Sequence, residues 1–212
     1  MDLLIDNDII IDLSSFDLCN QMIEAPGIQR TDIYITSSVR YSLGVIGRRV
    51  AKKEESFGKP TYDRMKSFLM GIQEICNLYD DQYRTLIENG GIGIDIGEAT
   101  LMTAVCSDEF LIATGDKRSL KALAACGECR NTFDRIRGKV ICLEQIILKI
   151  VQIHGIEYVR PRIEAATRID KSVRFCFGVV TPASEASVIE CLLSNIDHVN
   201  RESNNILAPV ER

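Results

Sequence analysis

Four short apolar runs, each followed by helical periodicity, constrain this chain more than any other feature. Leu3-Leu4-Ile5 comes first and ends at Asp6. Asp32-Ile33-Tyr34-Ile35-Thr36 alternates and is β-branched, and Phe110-Leu111-Ile112-Ala113-Thr114 runs into Gly115-Asp116. Val140-Ile141-Cys142-Leu143 leads directly into an apolar helical pattern that ends at His154. Runs of this length and composition read as buried strands. Strands that alternate with helices imply a mainly parallel sheet covered on both faces, an α/β fold of three layers (α/β/α).

The helical segments follow from apolar spacing and capping residues. Asn7 or Asp8 caps a helix whose stripe is Ile9, Leu13, Phe16 and Met22 or Ile23, stopped by Pro26-Gly27. Ser37 or Ser38 opens one with Val39, Leu43, Ile46 and Val50 on one side and basic residues on the other. Thr61 caps a helix expected to continue through Phe68, Leu69, Ile72, Ile75 and Leu78. Another holds Tyr83, Leu86 and Ile87 and closes at Asn89-Gly90-Gly91. Gly97-Glu98 opens a short helix with Leu101, Ala104 and Val105, and Leu120, Leu123 and Ala124 mark one more. Beyond Gly155 only helical pattern remains, in Glu157 to Ile169 and Ser184 to His198, and the last ten residues read as a tail. The expected division is an α/β domain over 1–154 and a helical C-terminal extension over 155–212.

At 212 residues, 46% apolar and 26% charged, the chain has the composition of an ordinary globular protein. The N-terminal run carries acids and no positive flank, so it is not a signal peptide. The longest apolar stretch, Val140 to Ile153, is interrupted by Glu144, Gln145 and Lys149 and does not span a bilayer. A cytoplasmic protein with its eight cysteines reduced is the expectation. Cys126 and Cys129 form a CxxC without a second pair, and His154 and His198 lie far off; buried or surface thiols compete with a zinc or redox role.

A formal charge of −5 excludes indiscriminate coating of nucleic acid, but the charge is laid out in blocks. Residues 1–39 sum to −6, 40–66 to +5, 67–114 to −7 and 115–139 to +4. Such blocks fold either into solvated helix faces or into an acidic pocket rimmed by basic surface, which suits a metal-dependent enzyme acting on a phosphodiester. Arg48, Arg49, Lys52 and Lys53 on one segment, and Lys117 and Arg118 on another, are the candidate contacts to a nucleic-acid backbone. For Lys117 and Arg118 the plainer alternative is solvent.

Three acids share a placement. Asp6 closes the first strand, Asp116 follows the Phe110 strand, and Glu98 stands at a helix start in GEATLMTAV. In parallel sheets the site lies beyond the carboxyl ends of the strands. Carboxylates gathered there repel each other unless a cation joins them, and oxygen-only ligands suit Mg²⁺ or Mn²⁺. Each acid also has a structural alternative. Asp8 and Asp116 are at helix N-cap positions, and Asp95 and Glu98 have the spacing of a capping box. Thr114 either orients a carboxylate or is an ordinary strand residue. Asp6 needs a partner or a metal, because a carboxylate closing a buried strand is costly alone.

The segments LLIDNDIIIDL, GEATLMTAV and LIATGDKRSLKAL, in that order, resemble the metal-binding motifs of PIN-domain nucleases across residues 2–150. The resemblance implies a metal-dependent endoribonuclease in which Asp6, Glu98 and Asp116 are both catalytic and metal-binding, with Mg²⁺ or Mn²⁺ as cofactor and RNA as substrate. It implies supporting roles for Asp8, Asp95 and Thr114. Many small members of that family are toxins held by an antitoxin, so a protein partner of this kind, or work as a defence effector, is part of the expectation. One position departs: Ser42 stands where the family places a Glu. Self-association through the C-terminal extension is a further expectation.

Two rivals remain. Asp6-Asn7-Asp8 and Gly115-Asp116 also suit a haloacid-dehalogenase-type phosphohydrolase, but Ile10, Leu120 and Lys121 stand where that family has other residue types, and no Lys lies between Lys66 and Asp116. The other rival is a degenerate PIN-like module that binds RNA or protein without catalysis. The absence of Trp weakens a base-stacking mode for such a module.

Overall fold

A computed structural model describes residues 2–23, 29–48, 50–75, 79–104, 110–166, 170–178 and 181–210. In chain order the elements are β1 (Asp2–Ile5), α1 (Asn7–Phe16), α2 (Cys19–Ile23), β2 (Ile33–Thr36), α3 (Val39–Ser42), α4 (Val50–Phe57), α5 (Lys59–Leu69), β3 (Gln73–Ile75) and α6 (Asp81–Asn89). They continue with α7 (Ile96–Thr103), β4 (Phe110–Ala113), α8 (Lys117–Ala125), α9 (Arg130–Ile136), β5 (Val140–Ile141), α10 (Leu143–His154), α11 (Ile156–Glu164), α12 (Lys171–Phe177) and α13 (Glu185–Glu202).

The five strands form one all-parallel sheet in the order β3-β2-β1-β4-β5, and helices cover it as a three-layer α/β/α sandwich. β1 lies at the centre, with Leu3 paired to Ile33 on one side and to Leu111 on the other. Leu3, Leu4 and Ile5 are all buried, as a strand covered on both faces requires. Around it α1 packs on α5, and α10 packs on α11 and α13. The C-terminal helices share this core: Val159, Val173, Phe177, Val188 and Leu192 belong to the same buried cluster as the strands.

The structure corrects several local expectations. The single helix foreseen from residue 7 to 23 is two, because Asp17 adopts a left-handed conformation (φ 58°) and its N–H closes α1 on the Leu13 and Ser14 carbonyls. The helix expected from Ser38 to Val50 ends after Ser42, where Gly44 turns the chain at φ 70°. The helix expected to reach Leu78 stops at Leu69. Gly71, at φ 85°, redirects the chain into β3, whose exposed Gln73 and Glu74 suit an edge strand. Residues 76–78 lie outside the described residues. α9 and α12 were not foreseen, and α11 ends at Glu164, five residues before the expected limit of its segment.

The C-terminal residues are no loose tail. The Gly138 N–H donates to the Ile206 carbonyl (2.8 Å) and the Ala208 N–H to the Val140 carbonyl (2.7 Å). Leu207 therefore bridges to β5, and Ile206 and Leu207 are buried. The cysteines also differ from expectation. Cys126 is bonded to Cys129 and Cys176 to Cys191, because α12 packs on α13 and because one turn brings the first pair together. Cys19 and Cys142 are free and buried, and Cys76 and Cys106 lie outside the described residues. No helix among the described residues is long and apolar enough to cross a membrane.

Since Ile206 fills core space beside β5, Ile206→Ala is expected to cost about 2–4 kcal/mol. Urea unfolding monitored by circular dichroism measures it; a change near zero would mean that the segment contributes only surface contacts.

Candidate active site

The sheet reverses its winding direction between β1 and β4, and such a switch point opens a crevice at the carboxyl ends of the two strands. Asp6 stands there. Its N–H extends the β1–β4 ladder by donating to the Ala113 carbonyl (2.9 Å). Its carboxylate then accepts from both sides: Oδ1 from the Asn7 N–H (2.7 Å), Oδ2 from the Thr114 hydroxyl (2.9 Å). Thr114 in turn accepts from the Asp116 N–H (3.2 Å). One buried threonine thus ties the acid that ends β1 to the acid that follows β4. Thr114 orients a carboxylate, as one of its two readings required.

Asp116 caps α8, with Oδ1 accepting from the N–H groups of Arg118 (2.8 Å) and Ser119 (3.3 Å). Its carboxylate also pairs with the exposed Arg118 guanidinium at 3.4 Å. Asp8 lies exposed in the first turn of α1, with Asp6 as the cap, so the expected cap at Asn7 or Asp8 is displaced by one or two residues. A methyl group on Gly115 would meet the Asp8 Cβ at 3.5 Å, so the turn after β4 lies against the first turn of α1.

Electrostatics binds this group together. Burial is the main force that pushes the Asp6 carboxyl up to about 6. The Thr114 and Asn7 hydrogen bonds oppose the rise, and the charges of Asp8 and Asp116 add to it. Arg118 is held above its ordinary value first by its contact with Asp116, then by the charges of Glu98 and Asp8. All four acids therefore act on one neighbourhood, through Asp6 or through Arg118.

Glu98 takes part in the cap of α7. Asp95 caps α7 by accepting from Gly97 N–H (2.6 Å) and Glu98 N–H (3.2 Å), and Glu98 Oε2 accepts from Asp95 N–H (3.0 Å). The capping box allowed by the spacing is formed. Burial first, and then the Asp95 side chain, push the Glu98 carboxyl up to about 8, while the hydrogen bond between the two carboxyls lowers Asp95.

Lys117 is corrected. Its ammonium turns inward to the fully buried Glu144 and to the Ser172 hydroxyl (2.9 Å), so its charge is neutralised inside the fold and it is no backbone contact. Glu144 was noted in the sequence only as a break in an apolar run. A carboxylate in such a run needs a cation, and that was the available signal. Arg48 and Lys52 are exposed, Lys53 lies over the Phe57 ring (5.3 Å), and Arg49 lies outside the described residues. Ser42 is exposed at the end of α3 and brings no carboxylate; the carboxyl end of β2 offers hydroxyls, Thr36 and Ser38, 3.2 Å apart.

Among the described residues, no three His, Cys, Asp or Glu side chains stand close enough to hold a metal ion as they are placed. What the crevice offers is donor type alone. Asp6, Asp8 and Asp116 are hard oxygen ligands, and the raised Asp6 carboxyl is the penalty that a divalent cation would remove. The Asn7 Oδ1, buried beside Asp6, has no hydrogen-bond partner. Compared with family models, with characterised proteins and with solved structures, the chain has no match.

The ionised Asp6 is disfavoured by folding, so the folded state binds more protons than the unfolded chain between its ordinary value of 3.8 and about 6. Stability of the metal-free protein therefore falls as pH rises through that window and levels off above it. Asp6→Asn is expected to raise stability at about pH 8 by up to about 2–3 kcal/mol, shrinking toward zero by about pH 3. Chemical denaturation with a chelator present, at both pH values, measures this; a destabilised variant at the higher pH contradicts it.

Proposed function

We propose that the chain is a metal-dependent endoribonuclease whose centre is the crevice between β1 and β4. The observation that carries this reading is the link from the Asp6 carboxylate through the Thr114 hydroxyl to the Asp116 backbone N–H, which ties the two acid-bearing segments together at the switch point of a parallel sheet. Asp6 and Asp116 would hold Mg²⁺ or Mn²⁺, with Asp8 beside them. When bound, such an ion would neutralise charge on the phosphate and acidify a water at neutral pH.

The remaining roles belong to the chain itself. Thr114 and the Asn7 N–H keep the Asp6 carboxylate in one orientation. Arg118, exposed and beside Asp116, would donate to a phosphate oxygen of the substrate, since a guanidinium makes paired hydrogen bonds to such groups. Arg48 and Lys52 would extend that contact along the backbone. Glu98, whose carboxyl is raised toward neutral pH, exchanges a proton near the crevice more readily than an ordinary Glu.

A second reading is favoured by one observation. Glu98 is engaged in the capping box and Ser42 supplies no acid, so a binding module without catalysis also fits these residues. The two readings part on metal dependence.

Incubation of a mixed pool of single-stranded and hairpin RNA with Mn²⁺ is expected to give cleavage that a chelator abolishes. Asp116→Asn should reduce the rate by about 10²-fold or more, as loss of an electrostatic catalytic group does. Intact RNA together with a mobility shift in chelator would establish the binding module instead.

A further inference from the structure

We propose that Cys126-Gly127-Glu128-Cys129 is a thiol–disulfide exchange site, with Cys126 as the sulfur that partners attack and Cys129 as the one released. The site is independent of the proposed nuclease activity. It lies at the far end of α8 from Asp116, about 15 Å along the helix by its rise of about 1.5 Å per residue.

The two sulfurs differ in access. Cys126 is partly exposed at the C-terminal end of α8, whereas Cys129 is buried at 1% exposure beside Phe133. The Cys129 N–H points at the Cys126 sulfur (3.2 Å), a donor that stabilises negative charge on that sulfur once the bond opens. The Asn89 carbonyl (3.5 Å) and a Glu128 carboxylate oxygen (3.9 Å) are its other polar neighbours. A structural staple accounts poorly for this pair. A bridge across three positions closes so short a loop that it restricts the unfolded chain little, while Cys176–Cys191 spans fifteen and joins α12 to α13.

The co-reactant is a low-molecular-weight thiol. Its thiolate attacks the Cys126 sulfur and the Cys126–Cys129 bond breaks, giving a mixed disulfide on Cys126 and a Cys129 thiolate that takes up a proton. A second thiolate attacks the outer sulfur of the mixed disulfide, releasing the oxidised disulfide of the two small thiols. Cys126 leaves as a thiolate and is protonated. Two small thiols are oxidised, and the protein pair gains two electrons and two protons.

Glutathione is the probe, applied to the full-length chain in its folded state and followed by differential alkylation and peptide mass mapping. Reduced glutathione should open Cys126–Cys129 in the native protein while Cys176–Cys191 stays closed, and oxidised glutathione should close it again. With oxidised glutathione, Cys129→Ser should take up one glutathione at Cys126 at least about tenfold faster than Cys126→Ser takes one up at Cys129. The proposal is overturned if the pair opens only together with Cys176–Cys191 on unfolding. Equal reactivity of the two variants overturns it as well, as does a pair that oxidised glutathione fails to close.

Discussion

The hydrogen bond from the Thr114 hydroxyl to the Asp6 carboxylate is the contact on which the candidate site depends. It crosses from β4 to β1 where the sheet changes direction, and it joins two segments 108 positions apart in the chain. Removing a carboxylate from water at the buried end of β1 is unfavourable, and two hydrogen bonds offset only part of that cost. Asp8 and Asp116 add negative charge to the same neighbourhood. A fold optimised for stability alone would place a neutral residue at position 6. A cation bound beside Asp6 would offset that cost.

The same economy of charge explains what surrounds the crevice. Asp116 is satisfied by the first N–H groups of α8 and by Arg118. Next along the chain, Lys117 turns the other way, into the buried Glu144, and Ser172 brings α12 to the same pair. The C-terminal helices are thereby fastened beside β4 and β5 by a buried charge and by the packing of α10 on α13. The last residues add their own backbone hydrogen bonds at the β5 edge. The extension and the sheet thus share one buried core.

The fold class was legible because its evidence is local. Leu3 to Ile5 and Phe110 to Ala113 are apolar runs too short for helices, and their order already implied parallel pairing. The positions of Asp6 and Asp116 near the carboxyl ends of β1 and β4 were legible for the same reason, the first directly after its strand and the second three residues beyond its own. What escaped was decided by single backbone angles or by long-range partners. Gly71 converts an apparent helical repeat into β3, and Asp17 splits α1 from α2, although neither changes the apolar spacing. Nothing near Lys117 in the sequence announces Glu144, 27 positions away. The tail resembled solvent-exposed polar chain, yet Ile206 and Leu207 are held by pairing with β5 that no local pattern encodes. Glu98 shows the limit of spacing itself, since the pattern that forms the capping box is the same one that suggested a ligand.

We propose that the crevice acids bind a divalent cation around Asp6. Calorimetric titration of Mn²⁺ into metal-free protein at neutral pH tests it most directly, with Asp6→Asn measured alongside. Saturable binding by the wild type and its loss in the variant are expected, with proton release that grows as the pH is lowered toward about 6. Equal binding by the two proteins, or no binding by the wild type, would contradict it.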